Sequence, residues 1–150
     1  MTQEEEKNLL LKDLCSRLPY GVRYRHFTWN DEYGETYIAA RIYSINTDGY
    51  VKNCYDDETV YIDNVRPYLF PFSSMTKEQK RELNKKFNVQ FSGNDTHSIH
   101  YHSEGCWDTD LELDLQDWLW FINWCYKNHF DVNNLIEKGL AVDATGLSIY

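Results

Sequence analysis

Apolar residues first recur at helical intervals. Leu10, Leu11, Leu14 and Leu18 run up to Pro19, behind Thr2 and the acidic stretch Glu4, Glu5, Glu6. A hydroxyl at the start caps free backbone amides, and carboxylates favour the positive end of the helix dipole. The pattern predicts an amphipathic N-terminal helix that needs a surface to pack on. From residue 20 to 72 the period drops to two. Val22, Tyr24 and His26 alternate with Arg23, Arg25 and Phe27, and β-branched and aromatic residues dominate, as in half-buried strands. Turn sequences follow at Asn30-Asp31-Glu32-Tyr33-Gly34 and at Asn46-Thr47-Asp48-Gly49, the second closing on an Asp-Gly pair suited to a tight hairpin. Further strands are expected at 36–45, 50–55 and 60–62, the last two separated by an acidic turn at Asp56, Asp57 and Glu58. Pro67 and Pro71 then take the chain out of the sheet.

Thr76 with Gln79 forms a capping box for a helix reaching Phe87. Its apolar anchors are Leu83 and Phe87, so it is a surface helix. Short strands are predicted at 89–91, 98–102 and 107–113. Asp114, with Asp117 three residues on, opens an apolar helix over 115–129, and Asp131 opens a last short helix ended by Gly139. The expected fold is α+β: an N-terminal helix, a small SH3-like antiparallel β unit, a linker helix, and a C-terminal unit of short strands and two helices. The organisation divides at residue 75, into 1–75 and 76–150, with one compact domain as the alternative.

The helix over 115–129 is apolar on more than one side. Leu115, Trp118, Leu119, Ile122, Cys125 and Tyr126 form one stripe at helical spacing, which burial against a sheet explains. Trp120 and Trp124, with Phe121 between the stripes, lie on the remaining face. Either the terminal segment 130–150 covers them or they are presented to a partner or a second copy, since Trp is favoured in interface cores.

Composition narrows the function. Hydrophobic residues at 42% and charged residues at 26% of 150 are those of a globular chain. Twenty-four acidic against fifteen basic side chains give a net charge of −9, which disfavours general attraction to nucleic acid. No run of apolar residues is long enough to span a membrane, and the start MTQEEEKNLL is acidic where a signal peptide is basic. A cytoplasmic protein is the expectation. Cys15, Cys54, Cys106 and Cys125 contain no CxxC pair and read as reduced thiols, mostly buried.

Three groups of residues carry candidate chemistry. His97, His100, His102 and Cys106 fall within ten residues, and His100 and His102 share one face of a strand, as two ligands of one metal do. A solvent-facing strand end followed by a turn is the favoured reading, because the spacing matches known metal patterns only loosely. Asp108, Asp110, Glu112 and Asp114 alternate with leucines, but Leu113 stands where an EF-hand loop needs glycine. They read as the solvated face of a strand and as a negative surface for a basic partner. The nine tyrosines of residues 20–72, with Trp29, can line a groove for an extended peptide or stack on bases. Only Arg23, Arg25, Arg41, Lys52 and Arg66 supply positive charge there, so a peptide is favoured. No Walker loop, dinucleotide glycine pattern, nucleophile elbow or HExxH motif occurs, and nothing argues for an enzyme or a cofactor.

LLLKDLCSRLPYGV at 9–22, VRPYLFPFSSMTKEQKREL at 65–83 and HFDVNNLIEKGLAVDA at 129–144 together resemble a family of uncharacterised small proteins of gut Bacteroidales and their phages and prophages. No activity or catalytic residue is established for that family, so no role passes to a position of this chain. The resemblance implies an accessory protein of a phage or mobile element, with modulation of host defence as one such role. With the physical reading, it gives a non-enzymatic module that binds a protein partner through Trp120, Phe121, Trp124 and the acids Asp108, Asp110 and Glu112. The alternatives are a protein that sequesters a small nucleotide in an aromatic pocket, and a metal-dependent hydrolase built on His97, His100 and His102.

Overall fold

A computed structural model of the chain describes residues 1–30, 32, 34–56, 58–87, 99–101, 107–109 and 114–150. Helix α1 (Gln3–Arg17) begins at Thr2, whose hydroxyl accepts from the Glu5 amide while the Glu5 carboxylate accepts from the Thr2 amide. Strands β1 (Arg23–Asn30), β2 (Gly34–Ile45), β3 (Tyr50–Asn53) and β4 (Thr59–Tyr61) form one antiparallel sheet in sequential order. The sheet curls into a half-barrel of SH3-like type. Alternation sends Val22, Tyr24 and His26 of the β1 segment inward with Ala40, Ile42 and Val51. Leu10 and Leu14 of α1 complete this first core, with Ile62, Val65 and Leu69.

Beyond the sheet, β5 (Tyr68–Leu69) pairs in parallel with β8 (Val142–Asp143), and Pro67 still bridges to Tyr24. Helix α2 (Lys77–Phe87) starts with reciprocal bonds between Thr76 and Gln79 and buries Leu83 alone. Strands β6 (Ile99–Tyr101) and β7 (Trp107–Thr109) form an antiparallel pair, and α3 (Leu115–Lys127) is capped by the Asp114 carboxylate. Phe121, Trp124 and Cys125 of α3 meet Leu83, Phe130 and Val132 in a second core. Both cores draw on residues from either side of residue 75. The first core takes Leu135 and Leu140 from the C-terminal half, and Phe70 and Phe72 pack on the second from the N-terminal half.

The segment after Asp131 corrects the expected last helix. It is a string of turns. The Asp131 carboxylate accepts from the amides of Leu135 and Ile136, which satisfies the backbone locally without a continuing helical ladder. The thiols also depart from expectation: Cys15 and Cys54 are exposed and Cys125 is buried, while Cys106 lies outside the described residues.

The stretches 9–22, 65–83 and 129–144 converge. Arg17 donates to the Phe130 carbonyl, Asn133 donates to Asp13, and the backbones of Phe70 and Phe130 are bridged. Three sequence-distant segments thus form one buried junction between α1, β5 and the terminal turns.

Candidate functional site

The alternation that fills the sheet's concave side fixes what its convex side displays. Paired positions across β1 and β2 are Arg23 with Arg41, Arg25 with Ala39, Phe27 with Tyr37 and Trp29 with Glu35. Lys52 and Tyr50 of β3 alternate with the buried Val51 and Asn53. Arg25, Phe27, Trp29, Tyr37, Arg41 and Lys52 are all exposed, Trp29 at 65%. Large aromatics gathered in the open on one face mark an interaction site, and no element among the described residues packs over them. Phe27 and Tyr37 pack edge to face at 5.9 Å, and the Arg25 guanidinium lies over the Tyr37 ring at 5.0 Å. Four cations and one carboxylate, Glu35, therefore share this face in a chain whose net charge is −9.

At the open side of the half-barrel a second constellation begins inside the sheet. His26 is buried, and its Nδ1 shares a 2.9 Å hydrogen bond with the Tyr24 hydroxyl. Asn53, fully buried, donates to the same hydroxyl and accepts from the amides of Tyr55 and Asp56. Burial pushes the Tyr24 phenol up to about 12, although the bond from Asn53 acts the other way. The other imidazole nitrogen, Nε2, lies 2.8 Å from Asp56 Oδ2. Partial desolvation raises the Asp56 carboxyl, but hydrogen bonds from the Glu58 amide, His26 and Asn53 outweigh it and hold the group below its ordinary value. Glu58 stands beside them, and one ligand atom from each of His26, Asp56 and Glu58 lies within 4.8 Å of the others. Tyr24, Arg25, His26, Glu58, Asn64 and Arg66 border a cleft of about 290 Å³ at this edge.

No protein-family model, curated protein or solved structure matches the chain. The geometry alone therefore weighs the expected sites. Phe121 and Trp124 are buried, Trp124 at 4% exposure, so neither is presented to a partner. Trp120 is half-buried: it stacks on Trp124, meets the Phe87 ring edge-on and lies under the Lys86 ammonium. The exposed side of α3 instead carries Leu115, at 72%, and Leu119. The reason is that both apolar stripes of α3 meet the second core, Trp118, Ile122, Cys125 and Tyr126 from one and Trp120, Phe121 and Trp124 from the other, which leaves Leu115 and Leu119 outside it. His100 and Asp108 are opposed in the β6–β7 register, but their side chains lie outside the described residues. His97, His102, Cys106, Asp110 and Glu112 lie outside them as well.

Sequence reasoning missed both structural constellations for the same reason. His26 and the acidic turn are thirty residues apart, and nothing local links them. The basic residues of 20–72 looked diluted by acids. Their alternating parity with the core positions was the one signal that they share a face.

Proposed function

We propose that this protein is a non-enzymatic binding module whose working surface is the convex face of β1–β3, and that its partner is a protein offering an extended acidic and apolar segment. One observation carries the reading: Arg23, Arg25, Arg41 and Lys52 are gathered with Phe27, Trp29 and Tyr37 on one sheet face of an acidic chain. Aromatic residues and arginine supply most of the energy at protein interfaces, and complementary charge sets register and rate of encounter. A peptide fits this face better than a nucleic-acid strand. Tyr37 already holds Arg25 on its ring and Phe27 on its edge, so parallel open faces for successive bases are not offered. The overall negative charge also opposes a long polyanion. The family resemblance supports an accessory role in a phage or mobile element. Among the described residues no helix is long and apolar enough to cross a membrane.

Titration of isotope-labelled protein with a short peptide of alternating Glu and Leu, followed by NMR, tests the reading. Shifts confined to β1–β3, and lost in Arg25→Ser and Trp29→Ser, are expected. Stronger binding of oligo-dT of equal length would transfer the surface to nucleic acid, and the absence of shifts with either ligand would remove it as a binding site.

A further inference from the structure

We infer that His26, Asp56 and Glu58 bind a divalent metal ion of the zinc type at the open side of the half-barrel. One imidazole and two carboxylates form a three-ligand set that leaves coordination positions free for water, as in zinc sites of the open kind. His26 Nε2 and Asp56 Oδ2, at 2.8 Å, are already as close as neighbouring ligands of one ion, and no ligand atom of the three is farther than 4.8 Å from another. Tetrahedral ligands about Zn2+ at roughly 2.0–2.1 Å stand about 3.4 Å apart. The His26–Asp56 pair would open by about 0.6 Å to admit the ion, and the rest of the adjustment falls to Glu58, whose side chain is exposed.

What distinguishes this group from ordinary surface acids is the support behind it. A metal-bound histidine normally gives its second ring nitrogen to an oxygen that fixes ring and tautomer. Here Tyr24 takes that position on Nδ1, and its hydroxyl is held in turn by the buried Asn53. On binding, the ion replaces the proton that His26 Nε2 shares with Asp56 Oδ2, which is released to solvent, while the Nδ1 proton points to the Tyr24 hydroxyl. The same Asn53 carbonyl oxygen accepts from the amides of Tyr55 and Asp56, so one buried amide orients the imidazole and anchors the turn that carries the acids. The adjoining cleft of about 290 Å³ leaves room for water on the ion. A nitrogen ligand favours Zn2+ over Mg2+, and Mn2+ falls below Zn2+ in intrinsic affinity.

Calorimetric titration of the full chain, purified in chelator and then freed of it, with Zn2+ and separately with Mg2+ tests the inference. One Zn2+ per chain and no Mg2+ uptake are expected. Asp56→Asn and Glu58→Gln should each weaken Zn2+ at least tenfold, and Tyr24→Phe, which removes no ligand, about tenfold or more. Glu58→Gln alters an exposed side chain, so it reports even where a buried variant unfolds. A triple variant His100→Ala, His102→Ala, Cys106→Ala should keep full affinity. Loss of binding in that triple variant, unchanged binding in Glu58→Gln, or no stoichiometric Zn2+ in the parent chain overturns the assignment.

Discussion

Asp13 and Arg17 form a fully buried, two-pronged ion pair one helical turn apart on α1, with Nε to Oδ2 at 2.6 Å and Nη2 to Oδ1 at 3.0 Å. The guanidinium also donates to the Phe130 carbonyl and lies over the Tyr126 ring, and Asp13 accepts from Asn133. One pair thus ties the N-terminal helix to α3 and to the terminal turns. Removing one member strands the other in a dry environment, which typically costs about 3–5 kcal/mol. Asp13→Asn should lower the unfolding free energy by an amount of that order in urea. The double variant Asp13→Leu, Arg17→Met should lose less than the two single losses added together, because no charge is left uncompensated.

Stability should fall as pH is lowered through the histidine range. Burial first, and the nearby Arg17 charge second, push the His129 imidazole down from 6.5 to about 4, while a hydrogen bond to the Tyr20 backbone acts the other way. Between those values the unfolded chain binds a proton that the folded chain refuses. The contribution is present in full above pH 6.5 and is lost toward pH 4, up to roughly 3 kcal/mol over the whole window. Asp131, whose carboxyl burial holds above its ordinary value, works in the opposite sense at the acid end. His129 sits at a φ of 58°, a left-handed conformation that Asn also tolerates. His129→Asn should therefore flatten the stability profile between pH 5 and 6.5, as measured by denaturant midpoints at each pH.

Two tryptophans should part company on substitution. Trp124 packs on Phe121 and Phe130 inside the second core, so Trp124→Ala should cost about 3–5 kcal/mol. Trp29 stands on the open face of the sheet, and Trp29→Ser should change stability by about 0.5 kcal/mol or less while abolishing peptide binding. Unfolding curves and the NMR titration, run on both variants, separate fold from function.

Gly49 ends the β2–β3 hairpin at a φ of +85°, and a Cβ there would meet both Ile62 Cγ2 and Lys7 Cε at 3.1 Å. A side chain in this backbone region costs about 1–2 kcal/mol by itself. Gly49→Ala should lower the urea midpoint by that amount or more, since the hairpin, α1 and the turn after β4 are pressed together at this point.

Most elements were legible because their signals are local. Thr2 with Glu5, Thr76 with Gln79 and Asp114 with Asp117 satisfy backbone amides three residues away, and the alternation of Val22, Tyr24 and His26 states a strand and its inner face together. Asp131 shows where local reading stops. Its side chain, placed as a helix cap would be, closes turns whose ends are held by β5 through β8.

The sequence by itself determined the periodicities, the caps and the hairpin turns, because each depends on residues within a few positions of one another. Tertiary structure alone decided that both apolar stripes of α3 are packed while Leu115 and Leu119 stay exposed, since that depends on where Phe72, Leu83 and Phe130 come to lie around the helix. It alone joined His26 to Asp56 and Glu58, and Asp13 and Arg17 to Asn133 and Phe130. Such contacts depend on how a curled sheet brings distant turns together, and that curvature is a property of the assembled layers.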